Sequence, residues 1–131
     1  WTILLDAICL VEAGCKADAV GDDGLAIGAY QIHRVYWMDA TQFWPWIGGG
    51  YLDCYDKKYA RDIVNLYFMR YGNKARLGRI ATPEDLARIH NGGPNGYKKE
   101  STKKYWLKVK KVMEEIKWER TKQEKATTID Q

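Results

Sequence analysis

Residues 2–13 (TILLDAICLVEA) place Ile3, Leu4, Ala7, Ile8 and Val11 at helical spacing, and Gly14 follows as a stop. The spacing predicts a helix over 2–13. Residues 14–28 hold four glycines and three aspartates, which predicts a loop with room for a short hairpin. Ala29 to Ile32 reads as a strand, and His33 to Asp39 as the start of a short helix. Trp44-Pro45-Trp46 and Gly48-Gly49-Gly50 then break the pattern as an aromatic loop. Helical spacing resumes over 52–71 and ends at Gly72. Thr82-Pro83-Glu84-Asp85 combines an N-cap, a first-turn proline and early acidic residues, opening a helix to about His90. Asn91 to Gly96 predicts its end. Ser101 or Thr102 caps a last helix with an apolar face of Tyr105, Trp106, Val109, Val112, Met113 and Ile116. The fold expected is mainly α, an α+β arrangement with one irregular hairpin lobe. A single domain over 1–122 precedes a polar, fraying tail over 123–131.

Composition narrows the class. A chain of 131 residues fits one domain, and 46% apolar with 29% charged residues excludes a disordered or low-complexity chain. Cys9, Cys15 and Cys54 allow at most one internal disulfide, in any pairing, and leave an odd thiol. With so few crosslinks, a reductant is expected to lower the melting temperature barely. No Cys/His cluster suggests a metal site, and no cofactor is expected. The apolar stretch Ile3 to Val11 is too short for a membrane span and carries Asp6. It also lacks the flanks of a signal peptide. Because the sequence starts at Trp1 without methionine, an upstream segment removed or not included is expected.

Charge is uneven: residues 1–97 carry net −1 and residues 98–131 carry +5, within a total of +4. A cationic C-terminal third suits an anionic polymer, although a solvated helix face has the same composition. No groove-reading motif accompanies it, so nucleic acid is not an expected partner.

For chemistry, Glu12 ends the first predicted helix, and Asp22-Asp23 follows ten residues later. Glycosidic cleavage commonly uses two carboxyl groups, one donating a proton and one ionised. A carboxyl ending an apolar helix meets the partial negative charge of its carbonyls. One among glycines meets free N–H groups and water. Loop aspartates beside a helix-end glutamate are more commonly plain surface charge. The glycine-rich stretch matches neither GxxxxGK[ST] nor GxGxxG, which excludes a phosphate loop. Ser101 is the only serine and precedes Lys103-Lys104, but a helix cap explains it better than a nucleophile. Trp44 and Trp46 could stack on a sugar or close over the core. His90 at a helix end could meet a ligand or bond the last carbonyls.

Several strings together resemble the invertebrate-type lysozyme (destabilase) family. They are Ile8-Cys9-Leu10-Val11-Glu12-Ala13-Gly14-Cys15-Lys16, Gly28-Ala29-Tyr30-Gln31-Ile32, Tyr36-Trp37-Met38-Asp39 and Tyr67-Phe68-Met69-Arg70-Tyr71. Ser101-Thr102-Lys103-Lys104-Tyr105-Trp106 adds a fifth. The most specific is Ala87-Arg88-Ile89-His90-Asn91-Gly92-Gly93-Pro94-Asn95-Gly96. They occur in family order over about residues 5–112.

The resemblance implies a lysozyme-like fold, with helices around a cleft and a small hairpin lobe. It implies hydrolysis of the β-1,4 bond between N-acetylmuramic acid and N-acetylglucosamine in peptidoglycan. Glu12 takes the family's general-acid position and Asp22 that of its second carboxylate, with Asp23 as the neighbouring alternative. Tyr30, Gln31, His90 and Asn91 map to the cleft wall as substrate-binding residues. Secretion, with action on the bacterial cell wall, is implied likewise, while a monomer is only assumed.

The chain also departs from the family: it has three cysteines where members usually carry ten or more, and Ala13 replaces a usual serine. Val20–Ile27 is similar to bacterial transglycosylase and goose-type sequences too. A lytic transglycosylase using Glu12 alone, a destabilase-type isopeptidase and a non-catalytic cationic wall binder are the alternative readings.

Overall fold

The computed structural model describes the backbone of residues 1–130 and the side chains of residues 1–128. Helix α1 spans Thr2–Ala13 and buries Leu4, Leu5, Ala7, Ile8 and Cys9. It stops where expected, because Gly14 turns left-handed at φ 60 and its N–H reaches the carbonyls of Cys9 and Leu10. A disulfide joins Cys9 to Cys15 across this cap, and Cys54 is free and buried.

A small antiparallel sheet follows, in the order β1 (Val20–Gly21), β2 (Ala26–Ile27), β3 (Ile32–His33). Val20 pairs with Ile27, and Ile27 with Ile32. The strand expected over 29–32 is largely a turn instead. Gln31 adopts φ 51, and both its backbone N–H and its side-chain Nε2 donate to the Gly28 carbonyl. That folded-back side chain forces the chain round before β3 can begin.

Helix α2 spans Arg34–Phe43, longer than the stretch read from sequence. The helix expected over 52–71 is divided. Tyr51–Tyr55 forms a 3-10 turn, Asp56 leaves helical geometry and caps the Tyr59 N–H, and α3 runs over Lys57–Tyr71. A one-turn helix, α4 (Lys74–Leu77), has no periodic signal and was not expected. Helix α5 spans Pro83–Gly92, with the Thr82/Asp85 capping box at its start and two residues beyond the expected end.

Helix α6 spans Lys103–Asp130, so the tail expected to fray after Lys122 continues as helix. Residue 131 lies outside the described residues. Within α6, the exposed residues 117–128 include i,i+3 and i,i+4 pairs, such as Lys122 with Glu119 and Thr127 with the Gln123 carbonyl.

The core gathers α1, α3, α5 and α6 around Ile8, Ile63, Val64, Ile89 and Val109, with Tyr30 and Ile32 entering from the sheet side. Arg88 is buried yet fully engaged. Its guanidinium donates to Thr102 Oγ1, Glu84 Oε2 and the Lys99 carbonyl, fixing α5 to the start of α6. Gly96 makes that approach possible, since a Cβ there would meet the Arg88 carbonyl oxygen at 2.0 Å.

Candidate active site

Glu12 occupies the last turn of α1, where the left-handed Gly14 cap turns the chain away and leaves the carboxylate facing α5 and α6. The Tyr105 hydroxyl of α6 donates to Glu12 Oε2 at 3.2 Å. Burial and the neighbouring Glu12 carboxylate hold the Tyr105 hydroxyl well above the usual tyrosine range, so it stays a donor. His90 Nε2 lies 3.3 Å from the same oxygen. Among the described residues, Glu12 Oε1 has no protein partner.

His90 has a 2% exposed side chain and is held on two sides. Its Nε2 lies 3.1 Å from the Tyr30 carbonyl, and its Nδ1 lies 2.9 Å from the Tyr36 hydroxyl. A carbonyl only accepts, so Nε2 carries the proton and Nδ1 accepts from Tyr36. Burial keeps Tyr36 protonated as well. The Tyr36 ring stacks on Tyr67 at 3.7 Å, which locks the donor in place. His90 thus bonds neither of the last helical carbonyls, the role a helix-end histidine would ordinarily take.

Asp22 lies in the β1–β2 turn and is exposed, as is Asp23. Both adopt left-handed backbone, at φ 50 and φ 56. Asp22 Oδ2 meets His33 Nε2 at 2.8 Å, whereas Asp23 has no side-chain partner among the described residues.

Gln31 packs behind this turn. Its Oε1 would lie 2.2 Å from a Cβ on Gly21, so any larger residue there would push the Gln31 side chain aside. Tyr30 is buried and offers its carbonyl to His90, while its hydroxyl accepts from Arg61 Nε at 2.9 Å. Asn91 is exposed, and its side chain bonds nothing among the described residues.

The structure therefore brings Glu12, Tyr30 and His90 into one cluster, while Asp22 joins His33 on the sheet. Trp44 and Trp46 lie outside the cluster, at 50% and 85% exposure, and do not cover the core. Ser101 is exposed beside Thr102, and it is the Thr102 hydroxyl that ties into Arg88 and the Gly96 carbonyl. A hollow of about 370 Å³ between α5 and α6, lined by Thr82, Trp106, Lys110 and Met113, includes none of the clustered groups.

The family profile described as destabilase matches residues 2–112. The chain belongs to the destabilase family. A lysozyme of Meretrix lusoria is 36% identical over 111 residues, covering 82% of this chain and 86% of the relative. A lysozyme of Magallana gigas is 38% identical over 108 residues, covering 80% and 74%. The crystal structure of Tapes japonica lysozyme superposes with a TM-score of 0.73 at 31% identity, covering 86% of this chain and 89% of that one.

Three groups in this destabilase site were not singled out from sequence: Tyr36, Tyr105 and His33. Tyr105 read as part of an apolar helix face and Tyr36 only as part of a family string, and neither signal says where the hydroxyl ends. His33 carried a usable signal, as one of only two histidines, lying eleven residues beyond Asp22.

Proposed function

We propose that the protein hydrolyses the β-1,4 bond between N-acetylmuramic acid and N-acetylglucosamine in bacterial peptidoglycan. Membership of a family whose relatives are named lysozymes makes it a glycoside hydrolase. The observation that carries the finer reading is the arrangement on Glu12. One carboxyl oxygen is engaged by Tyr105 beside His90, and the other is left without a protein partner. In the acid form, Oε1 is the oxygen free to hold the proton and pass it to the departing glycosidic oxygen. Asp22 is the second carboxylate. With Oδ2 held by His33, its Oδ1 is free to stabilise positive charge at the anomeric carbon or to attack it.

Gln31 supports the turn that presents Asp22, and Tyr30 supports His90. Asn91 offers an unengaged amide to the sugar chain at the end of α5. The protein acts outside the cell that makes it, where its substrate lies.

Glu12→Gln removes the acid while preserving shape, and is expected to lose at least a hundredfold in wall clearing. Clearing equal to that of the unchanged protein would refute the assignment. Mass analysis of the products tests the bond and the outcome. Reducing ends mean hydrolysis, anhydro ends a transglycosylase, and cut peptides an isopeptidase.

A further inference from the structure

The chain has two histidines, and each touches one of the two proposed carboxylates: His90 at Glu12 and His33 at Asp22. We infer that His33 is a positioning residue, whose ring holds the Asp22 carboxylate in its working orientation. The inference rests on Asp22 being the second carboxylate.

Three observations support it. Asp22 and Asp23 are successive non-glycine residues in left-handed backbone, a conformation that costs energy at each and needs an outside restraint. The one side chain that bonds Asp22 among the described residues is His33, 2.8 Å away on β3. His33 also occupies the N-cap of α2, where a side chain ordinarily bonds the first free helical N–H groups, yet it makes no such bond. Its ring is turned across the sheet to Asp22 instead. The pair is half exposed, at 49% and 67%, so its effect on stability is small and what it supplies is orientation.

This diverted cap allows function and stability to be separated. His33→Ser keeps an oxygen that can cap α2 but cannot reach Asp22. It is expected to lower kcat about tenfold on soluble oligomers of the wall disaccharide. KM should stay within about twofold and the melting temperature should hold or rise. His33→Gln places an amide nitrogen near the imidazole Nε2 position and should restore most of kcat. Asp22→Asn combined with His33→Ser should lose no more than Asp22→Asn alone.

Unchanged kcat in His33→Ser, a matching fall in melting temperature, or no rescue by His33→Gln would overturn the inference while leaving Asp22 in its role. Full activity in Asp22→Asn would overturn the second-carboxylate reading itself, and the role of His33 with it.

Discussion

At Asp85, one carboxylate does three jobs at the head of α5. It accepts from the Thr82 N–H and hydroxyl and from both terminal nitrogens of Arg79, while its side chain is 5% exposed. Burial alone would raise its pKa, but the hydrogen bonds from Arg79 and Thr82 outweigh it and hold it below the usual aspartate range. A lowered pKa in the folded state means the charged form is favoured by folding. The stability it contributes is therefore complete above about pH 4, the unfolded value, and is lost as pH falls further. Asp85→Asn should cost about 1–2 kcal/mol at neutral pH. It should also flatten the acid side of a plot of melting temperature against pH, which thermal unfolding across that range would measure. An acid limb as steep as in the unchanged protein would contradict this account. Cys54 shows the opposite case: burial pushes its thiol up to about 12, so it packs as an apolar side chain and not as a reactive thiolate.

Among the elements, α1 bears most on the proposed chemistry, because its C-terminal turn holds Glu12 and its cap is pinned covalently. The Cys9–Cys15 bridge closes a short loop across the helix end. Limiting a loop of this length in the unfolded chain is worth about 2 kcal/mol. For a domain of this size that is about 6 °C of melting temperature. Scanning with and without reductant should show that shift, larger than cysteine scarcity alone suggested. No shift would mean that the bridge only orients Glu12.

Helices α1, α2, α3 and α5 were legible in outline because apolar spacing, proline and cap residues are local signals. The hairpin within 14–28 was also expected, but the bounds and register of its strands were not legible, since two-residue strands carry no alternation to read and their pairing depends on residues that meet only across the lobe. The break at Asp56 was also hidden, because apolar residues stand on both sides of it and no glycine or proline marks the interruption.

Across the whole molecule, positive charge gathers in the stretch of chain that also reaches Glu12. Residues 98–111 hold Lys98, Lys99, Lys103, Lys104, Lys108, Lys110 and Lys111 against the single acid Glu100, and all are exposed. Tyr105, whose hydroxyl reaches Glu12, lies within the same stretch. On the proposed function, these lysines would draw an anionic wall toward the stretch that reaches Glu12. Raising salt from about 0.05 to 0.2 M shortens the screening length and should depress clearing of intact walls several-fold. Cleavage of short neutral oligomers should barely change. Equal salt sensitivity for both substrates would place the lysines outside substrate capture. Among the described residues, no helix is long and apolar enough to cross a membrane.

The sequence by itself determined the helical framework, the single-domain size, the family and the position of Glu12 at a helix end. These rest on local spacing and on strings of residues that need no partner to be read. The tertiary structure alone decided which hydroxyls and rings surround the carboxylates. Tyr105 lies 93 residues from Glu12, Tyr36 lies 54 from His90 and His90 lies 60 from the Tyr30 carbonyl it meets. Contacts at such separations are set by how the helices pack, and packing is decided by the shape of the whole core. It also chose Cys9 with Cys15 among three possible pairings, because the turn after α1 brings those two thiols together while Cys54 is buried with its backbone against Gly28.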